Sequence, residues 1–298
     1  MTSPEPPLGN PSDPASLLAA VRAANARTQP ERLREVIDSL VRHLFACAQE
    51  TGLTYEELEV ALQFLNAVGK ATGPQKNEAI LLADVLGLST LVQVADARRI
   101  VAAGGTESAL IGPFWRANQP QRAHGESICT PDTEGPRLEV RLRVTDLQRQ
   151  PIAGARVDVW QASPVGFYEN QDPDQADMNL RGTFTSDGDG RLHFMTVRPA
   201  GYPIPVDGPV GRLLEAQGRH AMRPAHLHFM LIAEGFRVLS TQIFDHADPH
   251  IGQDVVFGDV GSLVRQLQPH PQRQGEFLLD VEFMLEPGQT RIPHPPLD

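Results

Sequence analysis

Leu138-Glu139-Val140-Arg141-Leu142-Arg143-Val144 alternates apolar and charged residues without a break. Successive side chains on a strand leave opposite faces, so this run carries one apolar and one charged face and reads as a half-buried β-strand. Residues 155–160 (Ala-Arg-Val-Asp-Val-Trp) repeat the pattern. Downstream, Asp187-Gly188-Asp189-Gly190 reads as a hairpin turn between strands at 182–185 and 191–194. Its acidic spacing resembles a calcium loop, but the glycine and terminal glutamate of such a loop are misplaced, so the turn reading stands. Further strands are expected at 226–232, 239–244 and 275–284. Many short strands separated by turns indicate a β-sandwich over residues 106–298.

Upstream the period changes. Leu33, Val36, Ile37, Leu40, Val41, Leu44 and Phe45 recur at helical spacing. Thr54 and Glu57 form a capping box ahead of a second helix through Leu58, Leu62 and Leu65. A third helix is expected from about Gln75 to Gly87, and a fourth through Leu91 and Val94 to Gly104. The expected fold class is therefore α+β: a helical domain at 13–105, then a mainly antiparallel β-sandwich catalytic domain. Residues 1–12 and 293–298 are Pro-rich tails, and the first is expected to be disordered. The surplus apolar surface of the helices must be buried against the second half or a partner chain.

Composition excludes several classes. The 298 residues carry a formal charge of -11, from 26 Lys and Arg against 37 Asp and Glu, which argues against nucleic acid or anionic membrane as a partner. No apolar run approaches the roughly 20 residues that span a bilayer. The first ten residues lack the basic and apolar regions of a signal peptide. Cys47 and Cys129 are too few for a disulfide scaffold or a structural zinc site, so the expected location is the cytoplasm.

The chemistry centres on Arg223-Pro-Ala-His226-Leu-His228-Phe-Met230. On a strand His226 and His228 share a face, which makes half of a metal site. Two of the three tyrosines, Tyr168 and Tyr202, lie in Gly/Pro-rich loops, where ligands are commonly displayed. Two phenolates with two neutral imidazoles form a hard, anionic donor set suited to Fe(III). Taken singly, each tyrosine fits plain packing, and the two histidines fit a surface or hydrogen-bonded pair.

Gly-Phe-Tyr168, Gly-Tyr202 and Arg223-Pro-Ala-His226-Leu-His228-Phe, in that order, resemble the intradiol ring-cleavage dioxygenases. The resemblance extends to Asp158-Val-Trp160, Met178-Asn-Leu-Arg181-Gly-Thr, Thr241-Gln242-Ile and the helical Ile80-Leu-Leu-Ala-Asp84-Val-Leu-Gly. It implies one Fe(III) per chain, held by Tyr168, Tyr202, His226 and His228. It implies that a catechol-type diol binds as a dianion and is cleaved by O2 between its hydroxylated carbons. The tyrosinate matching Tyr202 then leaves the metal and takes a substrate proton, so Tyr202 is both ligand and catalytic base. Arg223 is the expected stabiliser of charge developing on the ring. Leu81, Asp84, Leu110, Pro113, Phe114, Gln242, Val255 and Val256 match substrate-pocket positions, although apolar residues there serve equally as core. The family also implies a homodimer through the helical domain, with a lipid sometimes held there.

Residues 201–211 and 248–258 look most like the branch that cleaves hydroxyquinol (1,2,4-trihydroxybenzene) to 3-hydroxy-cis,cis-muconate, the enol of maleylacetate. Asp84 supplies a reason: a carboxylate on the pocket wall can accept a hydrogen bond from the third hydroxyl, whereas an apolar wall selects weakly. His250 departs from that branch, in which a tyrosine is more usual. The alternatives are a catechol or chlorocatechol 1,2-dioxygenase giving cis,cis-muconates, a zinc hydrolase needing a third ligand, and a non-catalytic transthyretin-like binding module.

Overall fold

The computed structural model describes residues 13–73 and 76–295. The expected tail at 1–12, the expected helix start at Gln75 and the last three residues lie outside them. The chain divides into two compact units, Met1–Asn66 and Ala67–Asp298.

The first unit holds α1 (Pro14–Asn25), α2 (Glu31–Thr51) and most of α3 (Tyr55–Ala71). Helix α1, which the pattern does not single out, starts where Asp13 Oδ1 accepts from the Ala15 and Ser16 amides at 2.9 and 3.0 Å. The Thr54–Glu57 capping box is present, with bonds of 2.9 and 3.2 Å in the two directions. The apolar stripe of α2 buries no residue within the chain: Leu33, Leu40 and Leu44 are 48%, 50% and 58% exposed.

After the end of α3, the second unit continues with α4 (Glu78–Val85) and α5 (Leu88–Ala102). Asn77 Oδ1 caps α4 by accepting from the Ile80 amide at 3.0 Å. Two sheets follow. One orders β10 (Gln268–Pro269), β11 (Phe277–Leu285), β1 (Arg137–Asp146) and β4 (Arg191–Val197). The other orders β3 (Arg181–Thr185), β2 (Arg156–Trp160), β7 (His226–Ile232), β8 (Leu239–Asp245) and β9 (Val264–Arg265). Leu138, Val140 and Phe283 of the first meet Val157, Phe229 and Ile243 of the second in one buried core, so the two sheets form a sandwich. The sheets are mixed rather than purely antiparallel, because β1 pairs with β11, and β8 with β9, in parallel.

One expectation is corrected. The turn at 187–190 forms, with Gly190 N donating to Asp187 O at 3.0 Å and Asp187 N to Arg191 O at 2.9 Å. Yet β3 and β4 do not pair, because the chain crosses there from one sheet to the other. Gly190, at φ 70°, carries the crossing past β1: a Cβ would lie 2.3 Å from the Val144 carbonyl oxygen. Turn chemistry fixes the local reversal but not which sheet each arm joins.

A short ribbon of β5 (Tyr202–Pro203) and β6 (Met222–Arg223) stands outside both sheets, with α6 (Pro209–Ala216) between its strands.

Candidate metal centre and active site

Strand pairing gathers the site. In β7, Leu227, Phe229 and Leu231 enter the sandwich core, while Met230 on the other face packs with Trp160, Tyr168 and Tyr202. The i, i+2 rule puts His226 and His228 on that second face. Register sets Trp160 and Gln242 on either side of His228, and the Trp160 ring stacks on the imidazole at 4.7 Å and 11°. In the ribbon, Tyr202 pairs directly with Arg223. Tyr168 follows the tight turn at 163–167; its amide donates to Gln171 Oε1 at 3.0 Å, and its ring stacks on Phe114 at 4.3 Å.

All four candidate ligands are almost fully buried. His226 Nε2 and His228 Nε2 lie 3.1 Å apart, and Tyr168 Oη and Tyr202 Oη 3.3 Å apart. Ring centroids of Tyr202 and His226 are 5.6 Å apart, and those of Tyr168 and His228 6.4 Å. His226 Nδ1 lies 2.6 Å from the Pro224 carbonyl oxygen, to which only its N–H form can donate, which turns the lone pair of Nε2 toward the cluster. Burial, aided by the Arg223 charge, pushes the His226 pKa down to about 3. Burial and the neighbouring His226 hold His228 well below the usual imidazole value. Both rings are neutral at pH 7. Burial, then proximity to Tyr202, raises the Tyr168 phenol well above its ordinary value, so without a cation nearby it keeps its proton.

This donor set fits a hard trivalent cation that ionises phenols, and it fits zinc poorly. Among the described residues, no group of three or more His, Cys, Asp or Glu side chains is gathered as for a metal.

Arg223 is buried, and its Nη1 lies 3.2 Å from His226 Nε2. Burial opposes its charge, but Asp254 and the two phenols outweigh it and raise its pKa. Gln242 accepts from Arg223 Nη2 at 3.0 Å and donates to the Leu110 carbonyl at 2.6 Å, with His228 Nδ1 3.3 Å from its amide nitrogen. Gln242, Leu110 and Phe114 thus join the cluster directly. Leu81 and Asp84 are both buried on α4. Burial raises the Asp84 carboxyl above its usual value against a hydrogen bond with Ser89 and the Arg223 charge. Arg219 ties the end of α4 to the 255 segment, donating to Val85 O at 2.8 Å and Val255 O at 2.7 Å. Val255 and Val256 are buried, and Pro113 is half-buried beside Phe114. A cavity of about 860 Å³ is lined by Phe114, Glu169 and Lys76.

Some neighbours of the cluster are given no site role by the sequence. Trp160 lies in the Asp158-Val-Trp160 stretch of the resemblance, but its place against His228 comes only from strand register. The fully buried Arg181, in the Met178-Asn-Leu-Arg181 stretch, has its Nε 2.7 Å from Glu169 Oε1 and its guanidinium carbon 5.9 Å from the Tyr168 ring. Asp254, bidentate to Arg223, lies within the 248–258 segment but has nothing in its spacing to mark it.

A sandwich with a buried cluster of two imidazoles and two phenols defines a class, and comparison with known proteins agrees with it. Residues 110–286 match the family model described as "Dioxygenase", and 30–104 the one described as "Catechol dioxygenase N terminus". The chain belongs to the intradiol ring-cleavage dioxygenase family and is an enzyme of that type. It is 44% identical over 238 residues to hydroxyquinol 1,2-dioxygenase of Rhizobium sp. strain MTP-10005, covering 80% of each chain. It is 40% identical over 275 residues to 6-chlorohydroxyquinol 1,2-dioxygenase of Cupriavidus pinatubonensis, covering 92% of this chain and 98% of the relative. The crystal structure of hydroxyquinol 1,2-dioxygenase from Pseudomonas putida DLL-E4 superposes with a TM-score of 0.85 at 38% identity, over 92% of this chain and 99% of that one.

Proposed function

We propose that this enzyme cleaves hydroxyquinol with O2 between its two vicinal hydroxylated carbons, giving 3-hydroxy-cis,cis-muconate, using one Fe(III) per chain held by Tyr168, Tyr202, His226 and His228. The observation that carries the reading is the convergence of these four buried donors, with the two Nε2 atoms 3.1 Å apart and the two phenol oxygens 3.3 Å apart. Bound iron would chelate the vicinal oxygens of the substrate and make its ring reactive toward O2.

The chain's own residues supply the rest. His226 and His228, neutral and locked by the Pro224 carbonyl and by the Trp160 and Gln242 neighbours, remain fixed ligands. Tyr168, packed against Phe114, is the phenolate that stays. Tyr202, on the two-residue strand β5, is the phenolate that moves, and its oxygen takes up a substrate hydroxyl proton. Arg223 Nη1 faces the cluster and stabilises negative charge as it develops on the ring. Asp84 accepts from the third hydroxyl, and Leu81, Leu110, Pro113, Phe114, Gln242, Val255 and Val256 shape the wall.

Residues 13–105 are proposed to form a dimerisation domain and 106–298 the catalytic domain, the exposed apolar stripe of α2 supplying the contact and room for a bound lipid. Two free cysteines fit a cytoplasmic enzyme, and among the described residues no single helix is long and apolar enough to cross a membrane.

The test is direct. Freshly purified protein should be wine-red from tyrosinate-to-Fe(III) charge transfer, hold close to one iron per chain, and take up O2 faster with hydroxyquinol than with catechol or 4-chlorocatechol. Colourless, iron-free protein would sink the iron site. A preference for catechol would favour the catechol 1,2-dioxygenase reading instead.

A further inference from the structure

Arg223 faces the histidine–tyrosine cluster through Nη1, and a single carboxylate decides that it does. Nε donates to Asp254 Oδ1 at 3.1 Å and Nη2 to Asp254 Oδ2 at 3.0 Å, a bidentate pair that fixes the guanidinium plane. Nη2 also donates to Gln242 Oε1 at 3.0 Å, and the guanidinium carbon stands 5.8 Å from the Phe244 ring. What remains is Nη1, which faces His226 Nε2. Asp254 is itself held: its two oxygens accept from the Val256 amide at 3.3 Å and the Gly258 amide at 3.1 Å. Phe257, between these two amides, sits at φ 60°, a conformation costly for a bulky residue. The Asp254 side chain is fully buried, and that of Arg223 is only 5% exposed.

We infer that Asp254 is a positioning residue for the ring cleavage: it clamps Arg223 so that only the Nη1 edge is presented to the substrate. The inference rests on the reading above, in which Arg223 stabilises ring charge. A guanidinium free to rotate about its side-chain torsions would present a different N–H in each rotamer and lose the preorganisation that makes such a donor effective. The same carboxylate compensates a buried cation that would otherwise be costly. Asp254 touches no reacting atom, so its effect passes wholly through Arg223.

The experiment compares Asp254→Asn, Asp254→Glu, Arg223→Gln and the charge-matched double variant Arg223→Gln/Asp254→Asn with the parent enzyme. Iron content, the visible charge-transfer band, thermal stability, and kcat and KM for hydroxyquinol are measured for each. Parent oxygen uptake reports on the reaction assigned above, and variant-to-parent ratios report on Asp254, so the two can fail separately. Asp254→Asn should lower kcat by about 10–100-fold, the usual effect of removing an orienting partner, with iron and colour retained and KM shifted much less. The double variant should lie within about twofold of Arg223→Gln alone, since removing the clamp costs nothing once the clamped group is gone. If Asp254→Asn does not fold, Asp254→Glu decides. It keeps the charge but displaces the guanidinium by a methylene, and kcat should fall at least about fivefold. The inference is overturned by an Asp254→Asn or Asp254→Glu kcat within twofold of the parent. Equally decisive against it would be a loss that tracks iron content, or single-variant losses that multiply in the double variant.

Discussion

At the scale of single residues, protonation sets the two imidazoles apart from Tyr168. His226, its pKa pushed down to about 3, and His228, held well below the ordinary imidazole value, are both neutral at pH 7, so protons do not compete with metal at the imidazoles there. Tyr168 is the opposite case, since burial holds its proton on and metal uptake must expel it. Iron affinity should therefore rise with pH between 6 and 8, by about tenfold per unit for each proton released. Competition against a chelator at pH 6, 7 and 8 measures the slope, and a flat profile would contradict a phenolate ligand. Asp84 carries the specificity argument. Asp84→Ala should lower kcat/KM for hydroxyquinol by about tenfold more than for catechol, the worth of one buried hydrogen bond. Equal losses on both substrates would remove Asp84 from substrate selection.

At the scale of elements, two buried carboxylates join parts of the fold that sequence keeps apart. Glu78, fully buried on α4, accepts from the Val210 amide at the start of α6 at 2.9 Å, with Lys76 Nζ 3.5 Å away. Gly208 makes room for it, since a Cβ there would lie 2.1 Å from the carboxylate. The helix carrying Leu81 and Asp84 is thus fastened to the segment that follows Tyr202. Glu78→Ala should cost about 2 kcal/mol, leaving a buried amide unpaired. Calorimetry should find a Tm lower by about 5 °C, and a shift below one degree would refute the fastening. In β1, Glu139 meets Arg141 Nε at 2.7 Å, His270 Nε2 at 3.0 Å and the Arg273 guanidinium. Partial burial opposes its ionisation, but these partners win and depress its pKa from 4.5 to about 2. A depressed carboxyl stabilises the fold fully above 4.5 and loses that contribution as pH falls toward 2. Glu139→Gln should lower stability at pH 6 and flatten its acid dependence over that window. An unchanged slope of Tm against pH would count against the cluster.

At the scale of the whole molecule, an apolar surface remains to be covered. Leu33, Val36, Leu40 and Leu44 run along one side of α2, each 45% exposed or more. A contiguous stripe of this kind marks an association surface. The proposed homodimer predicts that Leu40→Glu/Leu44→Glu halves the mass seen by light scattering while leaving iron content and colour intact. A parent that is already monomeric at micromolar concentration would remove the dimer.

Sequence alone determined what is local or periodic. The alternation at 138–144 and 155–160 gave strands, and the i, i+2 spacing of His226 and His228 put both rings on one face. The family motifs named all four proposed ligands before any geometry was known. What sequence could not decide was every relation carried by non-local pairing. Asp187-Gly-Asp-Gly forms the same turn whether its arms pair or part, so only the packing of two sheets shows that β3 and β4 separate. Asp254 stands 31 residues from Arg223, and its role exists only because β6 and the 254–258 loop are brought together. Trp160 becomes the floor beneath His228 only through the register of β2 on β7. Periodicity reports which face a side chain leaves, whereas partners across a sheet or a loop are chosen by long-range burial, which no short window of sequence contains.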